Sequence, residues 1–289
     1  PPILSSDVYL YGFYGRVIVL YGRNSYLAES LRGLNEPMGR LTPWSGLPAA
    51  YGPIWLLLSA AAAAAGSTSI AGTAMAFKVA CWCAHVGSVA LLAAIARRVS
   101  PSRALLATVA YGWNPLVLLE GLGSAHCDAV MAALALAGLY AAVRQKFPLS
   151  LVLAALSALV RYVTGILWVL LAAQWVLCPP RVRERASRAA AALALLGGTT
   201  FFAYLPFVGS PQAALSIGAN LAGAPHSLNV AANPVHGLLR AQLGRALALS
   251  ASFLERALPD ESLLITLALH LCFCAVCVLA VLGLHRQGW

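Results

Sequence analysis

Acidic side chains are scarce in this chain: nine Asp and Glu in 289 residues. Two of them, Glu120 and Asp128, lie with His126 inside the segment Trp113-Asn114-Pro115 to Asp128, between two apolar runs. A carboxylate at membrane depth is expensive and is a functional candidate by default. Carboxylate and imidazole groups move protons or orient polar substrates. The plainer alternative is a polar turn at the membrane surface that ties two helix ends, and spacing alone does not decide between them. His126 and Asp128 are also half of a metal site. With no third ligand nearby, no metal or other cofactor is assigned, although a divalent ion would fit either case.

The elements that position these groups are membrane helices. The chain is 61% hydrophobic and 10% charged, with a mean hydropathy of +0.80, whereas soluble domains carry about a quarter charged residues. Apolar runs long enough for a hydrocarbon core of about 30 Å recur. The expected fold class is all-α, a polytopic membrane helical bundle. The net charge of +10 has no basic, aromatic-interleaved module beside it, which excludes a nucleic-acid partner. Ten of the nineteen basic residues fall in Arg97/Arg98/Arg103, Arg144/Lys146, Arg181/Arg183/Arg185/Arg188 and Arg286. Short loops rich in Lys and Arg stay cytoplasmic. Cys81 and Cys83 share one apolar run, at a spacing that does not face on a helix, so no disulfide is expected there. The chain starts Pro1-Pro2 without Met, and an upstream helix is expected to be missing.

Read in order, residues 1–53 form an outer interfacial segment rich in Tyr and Gly, with short amphipathic helices on the bilayer. Residues 54–208 form the membrane core. Its first run, 54–65, is short enough to be re-entrant, and 70–96 is a clear span. Residues 104–119 cross outward, 129–143 return, and 149–177 form two short helices that meet at Arg161. Residues 189–208 cross outward again. Residues 209–261 hold an outer loop and an amphipathic helix, and 262–289 the final span. This arrangement puts Asp7, Glu120, His126, Asp128 and Arg161 on the outer side. By residue type alone, Asp7 reads as an N-cap and Arg161 as a snorkelling residue or a partner for Glu120. Arg16 reads equally as an interfacial residue.

Four segments carry a resemblance. Ser6-Asp7-Val8-Tyr9-Leu10-Tyr11-Gly12-Phe13-Tyr14-Gly15-Arg16-Val17 resembles the first outer loop of GT-C fold membrane glycosyltransferases. It is most similar to bacterial polyprenyl-phosphate-mannose-dependent mannosyltransferases. Tyr51-Gly52-Pro53, then Asn114-Pro115-Leu116 through Gly123, His126 and Asp128, and finally Arg161-Tyr162 follow that family's order and spacing. Four places depart from its pattern: Ser6 for a first acidic residue, Leu10 for Arg, Phe13-Tyr14 for Trp-Asp, and Thr164 for a common Pro.

The resemblance implies a GT-C-like bundle in the bacterial cytoplasmic membrane. It implies transfer of a sugar, mannose by likeness, from a polyprenyl-phosphate donor to a glycan or lipid acceptor on the extracytoplasmic side. Asp7 would be the catalytic base. Arg161 and Arg16 would bind the donor phosphate. Glu120, His126, Asp128 and Tyr162 would bind substrate. Membrane lipids, and membrane protein partners, are the other expected contacts. The alternative, motivated by the departures, is a non-catalytic GT-C-like subunit of a larger complex. A transporter ranks last, because the sequence shows no inverted repeat.

Overall fold

In the computed structural model, which describes residues 5–178, 181–209 and 217, every regular element is helical and no strand occurs among the described residues. Two helices are long and apolar enough to cross a membrane: α4 (Ile70–Val99), and α9 (Val182–Tyr204) with the turn that extends it to Phe207. A third crossing is possible if α5 (Ala104–Gly112) and the segment Val117–Gly123 are one span bent by 52°. This is a helical membrane protein. The expectations for residues 210–289 lie outside the described residues, Ile217 excepted.

Local sequence explains the breaks. At the bend, Pro115 lacks the N–H that would continue α5, and the Asn114 side chain instead accepts from Leu116 N at 2.9 Å. The chain restarts as a π-helical segment, Val117–Gly123. Helix α3 (Pro53–Gly66) opens with Pro at its first position and is as short as the sequence predicts. Ser69 caps α4 by accepting from Gly72 N at 3.0 Å. The run 149–177 divides into α7 (Phe147–Ala158) and α8 (Gly165–Leu177), with Arg161 in the break between them.

Helix α1 (Asp7–Val19) departs from expectation. It does not lie as an amphipathic helix on the bilayer; nine of its thirteen residues are buried in protein. Its two faces enter different cores. Leu10, Phe13, Tyr14 and Val17 pack with Tyr26, Leu31, Met38 and Leu56. Val8 and Tyr11 pack with Trp55, Phe77, Cys81, Ala125 and Cys127. Gly15 permits this depth, since a Cβ there would sit 2.0 Å from the Ser59 carbonyl oxygen of α3. The physical reason is composition: Tyr and Gly are as suited to a tightly packed interior as to an interface.

Basic residues from three of the clusters, Arg98, Arg144 and Arg188, converge on one end of the described residues. Arg98 of α4 and Arg144 lie 5.5 and 5.9 Å from the Tyr140 ring, near the C-terminus of α6 (Asp128–Val143). Arg188 of α9 lies 5.8 Å over Trp175 of α8, whose ring stacks on Phe147 at 6.4 Å. The start of α6 is therefore the opposite end, about 24 Å away at 1.5 Å per residue.

Candidate functional site

At that opposite end four charged side chains form one chain of contacts. Asp7 is the first residue of α1, and its Oδ2 lies 3.0 Å from Nε2 of His126. Nδ1 of His126 lies 3.0 Å from Oδ2 of Asp128. Nη1 of Arg161 donates to both Asp128 oxygens at 2.8 Å. Each imidazole nitrogen faces a carboxylate, a group that accepts only, so both nitrogens carry protons and the ring is a cation. Burial alone would lower the His126 pKa, but the bonds from Asp128 and Asp7 outweigh it and push the ring up to about 12. The His126 bond holds the Asp7 carboxyl below its ordinary range against the opposing effect of burial. Burial would raise the Asp128 carboxyl, yet His126 and Arg161 together hold it low. The four charges sum to zero, and the side chains are between 20% and 40% exposed, so the network is open to a substrate.

The backbone around each member explains its placement. The π turn bends the chain so that Ser124 N reaches Leu119 O and His126 N reaches Glu120 O. Ala125 follows with φ +55°, a left-handed conformation that is uncommon without glycine and that marks strained functional turns. Cys81 Sγ of α4 donates to the His126 carbonyl at 3.6 Å. Arg161 is fixed from two sides. Gly52 N donates to Val160 O at 3.2 Å and Ile54 N to Leu159 O at 3.1 Å. A Cβ at Gly52 would lie 1.9 Å from Leu159 O, so the Tyr51-Gly52-Pro53 segment docks only as glycine. Thr164 donates to Arg161 O at 3.3 Å and meets Ser157 Oγ at 2.9 Å. The hydroxyl thus pins the break.

Asp7, His126, Asp128 and Arg161 therefore come together, and three expectations are corrected. Asp7 is not an N-cap: Ser6 holds that position without a side-chain bond, and the Asp7 carboxylate turns to His126. Arg16 does not reach the network. It is 3% exposed, its Nε lies 2.9 Å from Oε1 of Glu36, and its Nη2 donates to Thr68 O at 2.9 Å. Burial in protein gives it an internal carboxylate partner in place of a phosphate. Glu120 does not pair with Arg161, whose partner is Asp128; Glu120 is half-buried with no ion pair among the described residues. Tyr162 follows Arg161 but its hydroxyl meets Tyr204 of α9 at 2.8 Å. Two contributors were missed from sequence, Tyr11 and Cys127. Tyr11 OH lies 3.5 Å from His126 Nδ1 and 3.8 Å from Cys127 Sγ. The available signal for Tyr11 was its position four residues after Asp7, one helical turn along the same face.

His126, Cys127 and Asp128 offer atoms within 4.8 Å of one another, a spacing a metal ion could use. Those atoms are already engaged: both His126 nitrogens and the Asp128 oxygens with each other and with Asp7 and Arg161, and the buried Cys127 thiol with Tyr11.

The family model described as alpha-(1->6)-mannopyranosyltransferase, N-terminal domain, matches residues 1–177. No curated protein and no solved structure matches.

Proposed function

The chain belongs to the alpha-(1->6)-mannopyranosyltransferase family, and we propose that it moves a mannosyl group from a polyprenyl-phosphate donor to an acceptor hydroxyl on the extracytoplasmic face of a bacterial cytoplasmic membrane. Mannosyl transfer follows from the family. The lipid donor, the acceptor and the sidedness are the proposal. The observation that carries it is the junction of Asp7 and Arg161, 154 residues apart, through His126 and Asp128. It supplies a carboxylate and a guanidinium, each between a quarter and a third exposed, in one site.

In the proposed reaction, the acceptor oxygen bonds to C1 of the sugar as the bond from C1 to the phosphate oxygen breaks. The electron pair leaves with the lipid phosphate, and the acceptor proton passes to the Asp7 carboxylate. Arg161 commits Nη1 to Asp128 and has Nη2 and Nε unengaged among the described residues, two donors suited to phosphate oxygens. Glu120 and Tyr162 stand beside the site as candidate contacts for the sugar or acceptor. Sidedness rests on the basic end of the body: short basic loops stay cytoplasmic, which leaves the site outside. The chelator arm of the assay below tests for a divalent ion directly.

The non-catalytic alternative keeps its first motive, Ser6 beside Asp7 where the family pattern has an acidic residue. Leu10, Phe13 and Tyr14, two of the four departing places, pack in the first core with Tyr26, Leu31, Met38 and Leu56. The test is a membrane transfer assay with labelled polyprenyl-phosphate mannose, with and without EDTA, on parent protein and Asp7→Asn at equal expression. Asp7→Asn is expected to lose about 100- to 10,000-fold of transfer, the usual worth of a positioned base. Undiminished transfer would remove Asp7 from the role. No transfer by the parent from any polyprenyl-phosphate sugar would favour the non-catalytic subunit.

A further inference from the structure

Among the described residues the His126 ring meets Asp7, Asp128, Tyr11 and Cys127, and both ring nitrogens are spent on carboxylates from different elements. A residue so placed has no free donor for a sugar or a phosphate. It has what a strut needs instead. One nitrogen holds Asp7 of α1, the other holds Asp128 of α6, and Arg161 closes Asp128 from behind with two bonds from one nitrogen. The strained Ala125 and the π turn before it aim the ring, and the Cys81 thiol holds its carbonyl.

We propose that His126 is a positioning residue that acts through Asp7: as a doubly protonated ring braced by Asp128 and Arg161, it ties Asp7 Oδ2 down and thereby aims the remaining carboxylate oxygen at the acceptor hydroxyl. The inference rests on the reading of Asp7 as the base. It differs from a sugar-contacting role, the one its motif suggests by sequence. The same brace makes donor and acceptor chemistry interdependent, because Arg161 reaches both the phosphate side and, through Asp128 and His126, the base. The raised ring pKa agrees with this geometry, with Asp7, Tyr11 and Tyr51 facing the ring's surroundings from one side, Cys81 and Cys127 from another, and Asp128 and Arg161 from the third.

Two measurements test it. The first is transfer kinetics on His126→Gln, Asp7→Asn and the double variant. His126→Gln is expected to lower kcat by about 10- to 100-fold, with donor and acceptor KM within about twofold, because an interaction made for the transition state is lost. The double variant is expected to be no slower than Asp7→Asn alone, since residues acting as a unit are non-additive. A raised KM at unchanged kcat, or losses that multiply in the double variant, would overturn the inference and give His126 its own substrate contact. The second is nitrogen NMR of histidine-labelled protein in nanodiscs, which needs no turnover. The His126 ring is expected to stay doubly protonated at pH 8 in the parent and to become neutral there in Asp128→Asn. A neutral ring in the parent would overturn the brace. If the ring is charged but the parent transfers nothing, the functional reading has failed and the brace stands. If transfer needs Asp7 but not His126, the brace has failed and the functional reading stands.

Discussion

Helix α1 carries two ion-pair systems with opposite designs. Arg16 and Glu36 are 4% and 1% exposed, sealed between α1, the loop after α2 (Ala28–Leu31) and the start of α4. Glu36 Oε2 also takes the backbone N–H of Met38 and Gly39 at 2.7 and 3.0 Å. Nine residues earlier, Asp7 opens the network that remains up to 40% exposed at Asp128. A sealed pair cannot meet a ligand, and losing one partner strands a buried charge. An open network is held less firmly but stays reachable. The comparison separates two arginines that the sequence treats alike: Arg16 holds the loop down, and Arg161 faces the solvent end of the site.

The contrast can be broken by experiment. The largest effect belongs to the sealed pair. Glu36→Ala is expected to destabilise the protein by about 3–5 kcal/mol, read as thermal unfolding in detergent. Arg16→Met with Glu36→Leu should recover only part of it, because the apolar pair removes the stranded charge but leaves the Met38 and Gly39 N–H groups without their acceptor. Full recovery would mean that those two backbone bonds add little to the sealed pair. Next comes Gly52→Ala, which forces a Cβ against the Leu159 carbonyl; overpacking of this kind costs about 1–3 kcal/mol. Transfer should fall further than stability, since the shift moves Arg161.

The pH dependence sharpens the comparison on the open side. Asp7 and Asp128, held low, add stability above about pH 4 that is lost as the pH falls through their lowered values. His126, raised to about 12, contributes fully below the unfolded value near 6.5 and loses that contribution progressively as the pH climbs toward 12. Stability should therefore peak at about pH 4–6.5 and decline above it, by at most about 1.4 kcal/mol per unit for one group. His126→Gln should flatten the alkaline decline, whereas Arg16→Met with Glu36→Leu should leave it intact. Smallest is Thr164→Val, which removes one hydroxyl from the α7–α8 break and is expected to cost about 1 kcal/mol.

Much of this was legible in residue order. The short helix after Pro53, the interruption at Arg161 and the shared side of the basic clusters follow from apolar run lengths, punctuation and loop charge. The grouping of Asp7 with the His126–Asp128 segment came from family-like spacing. What residue order could not reveal was contact across 119 residues. Nothing near Asp7 shows that its carboxylate meets His126, and nothing near Arg161 prefers Asp128 over Glu120; both choices are made by how α1, α6 and α7 pack. The burial of α1 was hidden for a related reason, because its Tyr and Gly content suits an interface and a core alike.

Helix α6 also acts as a ruler. Its start belongs to the site and its end to the basic belt, so it sets a fixed height of about 24 Å between them. A hydrocarbon core is about 30 Å thick. With the belt at the cytoplasmic headgroups, as proposed, the site falls just under the opposite headgroup layer. The proposed lipid-borne donor would approach that level from its own leaflet, without crossing the bilayer. The sugar would then be presented by the membrane itself, and Arg161 would need only to wait at the right depth.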